Sequence, residues 1–289
     1  MTSEKTFATS RRGRVGRPLR RVAKRKVGED SLELASGLLA RSRRSNIPVT
    51  KAFARADVPG VEPMLYRLYS GGSTGGRSGV VAIKLYLALI WRCSAAPYQS
   101  RRDSARTWAT LLDLPDPADK GARRIRAALQ TLKEENLIRL TPDPGYPPTI
   151  TLLAESGDGS PYEPASLRGF NMNRGRVVPS VQSYYFQVPA QMWVQGFMQS
   201  LSGPALMVYL ALASEQAYQR DQWFSTEQFP ARFLISAQTR AAGTKELQRD
   251  QLLKVSTRLL DEGGNAVSFG RLRRRNTYRL LGAAVPGEE

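Results

Sequence analysis

The feature that most constrains the fold of this chain is a long internal repeat. The sequence Tyr-Leu-Ala-Leu begins at Tyr86 and again at Tyr209, each time a few residues after a Ser-Gly pair. Each copy is followed by a basic helical segment and a strand–turn–strand pattern, and the pattern of Leu129–Leu140 can be matched with that of Val255–Val267. A repeat of this length is too long for a solenoid unit, so it predicts two copies of one small domain.

The chain length agrees with this organisation, because 289 residues correspond to about two ordinary domains. Shifts in composition predict a disordered basic arm over residues 1–29, a short helical and irregular region with a Gly-rich linker over 30–78, a first domain over 79–154, a linker over 155–183, a second domain over 184–282 and a tail over 283–289.

Hydrophobic periodicity and turn residues predict a similar order of elements in the two domains. In the first domain we expect helices over Val80–Arg92, Thr107–Leu112 and Ala118–Asn136, then strands over Leu137–Thr141 and Thr149–Leu153. In the second we expect a strand over Tyr184–Val188, helices over Pro204–Tyr218, Gln228–Ile235 and Thr244–Glu262, and strands over Ala266–Phe269 and Thr277–Leu281. The fold class is therefore expected to be α+β.

The charge of the chain is strongly unbalanced. Lys and Arg number 43 against 25 acidic residues, which gives a formal net charge of +18. Such a balance favours a polyanionic partner, with nucleic acid as the first candidate and an anionic membrane surface as the second. Since no apolar run reaches the roughly 18 residues of a membrane span, and no apolar segment follows the basic start, we expect a cytoplasmic protein without a membrane partner.

The chain contains no histidine, which excludes several kinds of site. Neither a zinc site with histidine ligands nor a Ser-His-Asp triad can be built. The single cysteine, Cys93, lies in an apolar helical segment, where a buried small hydrophobe is expected rather than a nucleophile. We expect no metal and no other cofactor, and the preferred prediction is a protein that is not an enzyme.

Three helices followed by a two-stranded hairpin resemble the winged-helix family of DNA-binding domains over about residues 79–154 and 184–282. The resemblance implies that the third helix of each domain enters the major groove, where its outer face offers donors to bases and phosphates. The residues that match this position in the first domain are Lys120, Arg123, Arg124, Arg126 and Gln130, and those in the second are Lys245, Gln248, Arg249 and Lys254.

In winged-helix proteins the hairpin, called the wing, contacts the DNA backbone or the minor groove. The predicted tip of the second wing, residues 270–276, holds Arg271, Arg273, Arg274 and Arg275. The first wing differs, because it has Asp143 and no basic residue between Leu140 and Leu153. We expect the first wing to be available for a protein contact, either in a homodimer or with the other domain.

The N-terminal arm adds a further basic segment, and its candidate DNA contacts are Arg14, Arg17, Arg20 and Arg21. The run Gly16-Arg17-Pro18 is similar to the core of an AT-hook, although Val15 stands where that motif has its first arginine. The other interpretation is an electrostatic arm without sequence preference. Either arm would add phosphate contacts and salt dependence to binding.

Two enzymatic alternatives are open at the level of sequence. Gly71–Ser78 fits the phosphate-binding loop of nucleotide hydrolases except that Arg77 replaces the lysine, and Met64–Tyr69 could be the strand that precedes such a loop. Tyr278 lies just after an arginine cluster and could serve as the nucleophile of a DNA strand-transfer enzyme.

The preferred prediction is a sequence-specific binding protein for double-stranded DNA. Two tandem winged helices resemble plasmid and phage replication initiators, which bind repeated origin sites in the bacterial cytoplasm or nucleoid. The resemblance implies replication proteins as further partners. A transcriptional repressor or a partition-site DNA-binding protein is the alternative role, because the same two domains would suit it.

Overall fold

The computed structural model describes residues 26–42, 44–71, 77–165 and 184–287, and within them the protein is α+β with antiparallel sheets. An N-terminal region comes first. It contains helix α1 (Glu29–Ser42), strand β1 (Asn46–Thr50), helix α2 (Lys51–Ala54) and helix α3 (Met64–Ser70). The segment Met64–Tyr69, considered above as a strand, is therefore a helix, and Pro63 stands at its N-cap.

The first repeat spans residues 77–152. Its elements are α4 (Arg77–Arg92), β2 (Gln99–Ser100), α5 (Ala105–Leu111), α6 (Lys120–Glu134), β3 (Ile138–Asp143) and β4 (Tyr146–Leu152). The Ser104 hydroxyl caps α5 by accepting a hydrogen bond from the Thr107 backbone N–H. Pro115 and Pro117 fall between α5 and α6, where they prevent one continuous helix.

The second repeat spans residues 203–280. It is preceded by β5 (Tyr185–Pro189), α7 (Gln191–Val194) and α8 (Phe197–Ser200). Its own elements are α9 (Gly203–Ser214), β6 (Gln222–Trp223), α10 (Gln228–Phe233), α11 (Ala237–Arg249), β7 (Leu253–Leu260) and β8 (Arg273–Leu280). Each repeat thus runs as helix, short strand, helix, helix and hairpin.

The two repeats also share their sheet topology. The strand order is β2-β4-β3 in the first and β6-β8-β7 in the second, so that in each the last strand lies in the middle. In each repeat an equivalent backbone hydrogen bond joins the end of the hairpin to the residue that follows the third helix. It runs from Leu153 N–H to the Leu137 carbonyl at 2.9 Å in the first repeat and from Leu281 N–H to the Leu252 carbonyl at 3.0 Å in the second. The two segments therefore share their strand order and the way in which the hairpin joins the third helix.

The third helix of each repeat ends in the same way. Leu137 N–H bonds the Leu132 carbonyl and Leu252 N–H bonds the Leu247 carbonyl, both at 2.9 Å, while Asn136 and Gln251 take left-handed φ angles of 54° and 60°. This is the Schellman arrangement that closes a helix. The prediction of a helix over Thr244–Glu262 is therefore wrong, because α11 ends at Arg249 and β7 follows.

The earlier matching of Leu129–Leu140 with Val255–Val267 is wrong for the same reason. In the structure, Leu132 and Leu137 of the first repeat are equivalent to Leu247 and Leu252 of the second, because they form the same helix-closing hydrogen bond. The predicted strand over Ala266–Phe269 is also absent, since these residues lie in the long connection between β7 and β8.

One continuous core holds the repeats and the N-terminal region together. Helices α4 and α9 are buried along most of their length, and β1 pairs antiparallel with β5 from Asn46 opposite Pro189 to Thr50 opposite Tyr185. The Trp91 ring of α4 packs on the Trp193 ring of α7, with centroids 6.3 Å apart. The region before the first repeat is therefore part of the scaffold that positions both hairpins.

Lys84, in the middle of α4, ties the first repeat to the start of the second. Its buried ammonium donates to the Gln199 carbonyl at 3.0 Å and the Leu201 carbonyl at 2.8 Å, at the C-terminal end of α8. Lys84→Met introduces a side chain of similar length but leaves these carbonyls without that donor. We expect the free energy of unfolding to fall by about 1–3 kcal/mol in urea titrations.

The matched control for Lys84→Met is Lys133→Met, which removes an exposed lysine from α6. We expect this control to change stability by less than about 0.5 kcal/mol. Equal effects of the two substitutions would contradict the structural role of Lys84.

The thiol of Cys93 is 2% exposed, and burial raises its pKa to about 12. Since only the thiolate reacts with alkylating agents, folded protein at mildly alkaline pH should be labelled at least about 100-fold more slowly than unfolded protein. A thiol-reactive dye with and without denaturant measures this ratio directly, because Cys93 is the only cysteine. Rapid labelling of the folded chain would show that this part of the core opens.

Candidate nucleic-acid interface

The outer face of α6 carries all five residues that were predicted to contact DNA in the first repeat. Lys120, Arg123, Arg124, Arg126 and Gln130 are exposed. The opposite face is buried and contains Gly121, Ala122, Ile125, Ala128, Leu129 and Leu132. This division follows from the helical period, which places residues three and four apart on one face.

Two of these five side chains already have partners, one at the N-cap of α6 and one within the helix. The Arg123 guanidinium forms an ion pair with Asp119, and the Gln130 amide donates to Glu134 Oε1 at 2.9 Å. No ion pair to an acid among the described residues involves Lys120, Arg124 or Arg126. These three cations are therefore the ones in this helix that are available to a polyanion.

The outer face of α11 is less basic. Lys245, Gln248 and Arg249 are exposed, as predicted, but Arg249 is paired with Asp250 at 3.2 Å. The inner face is held against the start of α9, because the Glu246 carboxylate accepts from the Ser202 backbone N–H at 3.0 Å. The available donors of α11 are therefore Lys245 and Gln248.

Lys254 does not belong to a helix, which corrects its predicted position. It lies in β7 directly opposite Arg279 of β8, and both side chains are exposed. Since side chains alternate along a strand, Arg258 and its partner Arg275 lie on the same face as this pair. We call these residues, Lys254, Arg258, Arg275 and Arg279, the outer sheet face.

The outer sheet face places like charges directly opposite each other, an arrangement that is unfavourable in a sheet. One acid offsets part of this repulsion. The Asp221 carboxylate binds Arg258 at 2.8 Å and Arg279 at 3.3 Å. The net charge of this face remains positive, so binding of a polyanion would relieve the remaining repulsion.

The predicted arginine cluster of the second hairpin divides into two groups. Arg275 is half-buried, and its guanidinium stacks on the Trp223 ring with 4.2 Å to the ring centroid. Arg271, Arg273 and Arg274 are exposed at the end of the hairpin, without an ion pair to any acid among the described residues. Arg275 thus helps to build the hairpin, whereas the other three are available for contact.

The first hairpin is short and nearly uncharged. Its turn lies between Asp143 and Tyr146, and the Arg102 guanidinium stacks on the exposed Tyr146 ring at 4.2 Å from the centroid. Residues 144–146 are exposed rather than packed against the other repeat. The predicted difference between the two hairpins is therefore present, and the tip of the first one is open to solvent.

Arg258 and Arg279 were missed by the sequence analysis. Both lie in strands, and the alternation of Lys254, Ser256 and Arg258 was a usable signal of period two. The predicted helix over this segment concealed that alternation. The α6 cations and the outer sheet face belong to different repeats.

The structure also shows the surroundings of the two segments on which the enzymatic alternatives depend, the Gly-rich segment and Tyr278. Helix α3 rather than a strand precedes the Gly-rich segment, whose residues 72–76 lie outside the described ranges. Tyr278 is 7% exposed, and its hydroxyl accepts from Arg240 at 2.9 Å within a cluster formed with Phe224 and Phe229. That environment suits a packing role for Tyr278.

The arm residues Arg14, Arg17, Arg20 and Arg21 lie outside the described residues. Among the residues that the structure describes, no cluster of three or more potential metal ligands occurs, and no helix is long and apolar enough to cross a bilayer. No family model, curated protein or solved structure matches this chain.

Proposed function

We propose that the chain binds double-stranded DNA in a sequence-specific manner through two winged-helix domains and acts as a plasmid or phage replication initiator at repeated origin sites. The observation that carries this proposal is the repeated topology. Helix, short strand, helix, helix and hairpin occur twice with the same strand order, and each third helix presents an exposed polar face.

The exposed donors suit the edges of the bases. An arginine binds two acceptors of guanine in the major groove, and a glutamine amide binds adenine in a comparable way. In α6 the available arginines are Arg124 and Arg126, and in α11 the corresponding donors are Lys245 and Gln248. Each third helix therefore offers side chains that can distinguish base pairs.

The second hairpin suits the phosphates. Its outer sheet face and the exposed Arg271, Arg273 and Arg274 form a positive surface directly after α11. Phosphate contacts provide affinity and position the protein without reading sequence. In this proposal α11 enters the major groove while the second hairpin binds the adjacent backbone and minor groove.

The two hairpins have different roles in the proposal. The first carries only Arg139 and Asp143 as charged residues, and its tip exposes Tyr146 and prolines. A surface of this kind suits a protein partner more than a phosphate backbone. The proposed occupants are a second copy of the chain or a replication protein.

Selection from random duplexes at physiological salt, followed by sequencing, tests DNA recognition with the full chain. A second selection uses the full chain with Arg14, Arg17, Arg20 and Arg21 changed to glutamine. Enrichment of one repeated or inverted site in both selections supports reading by the two domains. Absence of any enriched site overturns the proposal, because electrostatic attraction alone selects no sequence.

The biological role needs a separate test. A plasmid without an origin is supplied with the enriched site and with the gene for the chain. Stable replication of the plasmid supports initiation. Repression of a reporter beside the site, without replication, would assign the repressor role, and improved inheritance of an otherwise replicating plasmid would assign partition.

A further inference from the structure

The end of the second hairpin exposes large apolar side chains that no contact of the fold explains. Phe269 is 114% exposed and Val267 is 95% exposed, the highest values among the large hydrophobic residues of the described chain. Leu272 and Leu259 nearby are also exposed. Scattered single apolar residues on a surface are ordinary, but a group of them on a projecting loop marks a contact site.

The loop that carries Phe269 is organised at its base. The Asp261 carboxylate accepts from the Asn265 backbone N–H at 2.8 Å, and the Asp261 N–H donates to the Asn265 carbonyl at 3.0 Å. Hydrogen bonds from Ser268 and Asn265 lower the pKa of Asp261 to about 2. Residues 261–268 therefore form a closed turn.

The same turn is fixed against the sheet. Gly264 has a left-handed φ of 88°, and a Cβ at this position would lie 2.3 Å from Nε1 of Trp223. The turn thus rests on the Trp223 indole, which in turn supports Arg275. The side chains of Val267 and Phe269 are directed into solvent beyond this support.

The charge around Phe269 selects the chemical class of its partner. Arg271, Arg273 and Arg274 follow it closely, whereas the two acidic residues of the loop, Asp261 and Glu262, lie at its base, where the Asp261 carboxylate is bound within the turn. Proteins that bind the minor groove use such cations beside apolar side chains that insert between base steps and kink the duplex. An anionic membrane would also attract cations, but stable binding there needs a larger apolar face than one loop provides.

We infer that Phe269, assisted by Val267, inserts between two base pairs in the minor groove and kinks the DNA bound by the second repeat. The inference rests on the proposed function and deepens it. The ladder of eight residue pairs from Leu253–Leu280 to Leu260–Arg273 extends about 25 Å, so the tip reaches well away from α11. Pyrimidine–purine steps unstack most easily and are the expected insertion site.

Energy transfer between fluorophores at the two ends of the selected duplex measures the bend. The full chain should increase transfer, and aminopurine placed at a pyrimidine–purine step of the site should brighten on binding. Phe269→Ala should lose most of both signals and bind about 10-fold more weakly, with unchanged dependence on salt. Phe269→Leu, which keeps an apolar side chain, should retain more than half of the bend.

The control is Val61→Ala, which shortens another exposed apolar side chain, one that lies far from Phe269 in sequence. It should leave bend and affinity unchanged. If the full chain binds its selected site without bending it, or if Phe269→Ala bends it equally, the insertion is overturned while DNA recognition stands. If selection yields no site, both proposals fail together.

The membrane alternative is an outcome of the same experiment. Vesicles that contain phosphatidylserine are mixed with the full chain and with Phe269→Ala. Binding to vesicles that depends on Phe269, together with a DNA bend that does not, would overturn the insertion and assign the tip to a lipid surface.

Discussion

Changing Arg271, Arg273 and Arg274 together to glutamine is expected to weaken binding to the selected duplex on the order of 100-fold at physiological salt. All three side chains are exposed at the end of the second hairpin. Each phosphate contact contributes about 0.9 to the slope of log affinity against log salt, so three lost contacts should reduce that slope by about 2.7. Titrations at several salt concentrations measure both quantities.

The control for this triple variant changes Lys26, Arg41 and Arg106 to glutamine. These exposed residues lie just before α1, in α1 and in its neighbour α5, so the three substitutions remove the same charge from another surface. At physiological salt the control should weaken binding less than about threefold, because exposed charges beyond the Debye length of about 8 Å are largely screened. Equal losses in the two variants would show that total charge, rather than the second hairpin, governs binding.

Most elements of the first repeat could be predicted because their boundaries are marked by residues with strong local preferences. Pro115 and Pro117 separate α5 from α6, and the apolar period of Ile125, Ala128 and Leu132 defines the buried face of α6. The exposed face follows directly from that period. The predicted side chains of α6 are therefore exposed as expected.

The second repeat was harder to predict, because the left-handed residue that closes its third helix is Gln251, whereas the one that closes α6 is Asn136, a residue type that takes this conformation more readily. Gln251 takes the left-handed conformation that usually favours glycine, and the stretch Leu252, Val255 and Leu259 imitates a helical period. The strand that follows is specified by its pairing with β8 rather than by local preference. The local signal of the strand, the alternation of Lys254, Ser256 and Arg258, competes with this helical period, and only the pairing with β8 decides between the two.

The role of the N-terminal region could not be predicted for a related reason. Strand β1 of this region pairs with β5, far along the chain, and Glu155 accepts from the Thr50 backbone N–H at 2.6 Å. These contacts join segments that were interpreted as separate regions and linkers. Long-range pairing of short strands depends on the whole fold, so its partners are not apparent from either segment alone.

Gly243→Ala is expected to lower the free energy of unfolding by about 1–2 kcal/mol, although alanine is the better helix former. A Cβ at Gly243 would lie 2.3 Å from the Pro204 carbonyl oxygen and 2.8 Å from a methyl of Val208, so α11 and α9 must separate. Overpacking costs about 1–3 kcal/mol, and the close approach to a backbone oxygen places Gly243→Ala in the upper part of that range, at about 2–3 kcal/mol, against a gain of about 1 kcal/mol in helix propensity.

The same substitution at Gly37 is the matched control and should have the opposite sign. There the nearest atom to a new Cβ is the flexible Arg41 guanidinium at 3.6 Å, so Gly37→Ala should stabilise the chain by about 0.5–1 kcal/mol.

Gly79→Ala, with a Cβ 2.1 Å from the Leu68 carbonyl oxygen, should resemble Gly243→Ala. Since a Cβ at Gly79 meets Leu68 and Tyr69 whereas one at Gly243 meets Pro204 and Val208, the two effects should add to about 2–4 kcal/mol in the double variant. Urea titration of the four variants measures these changes, and stabilisation by Gly243→Ala would show that α11 does not pack closely on α9.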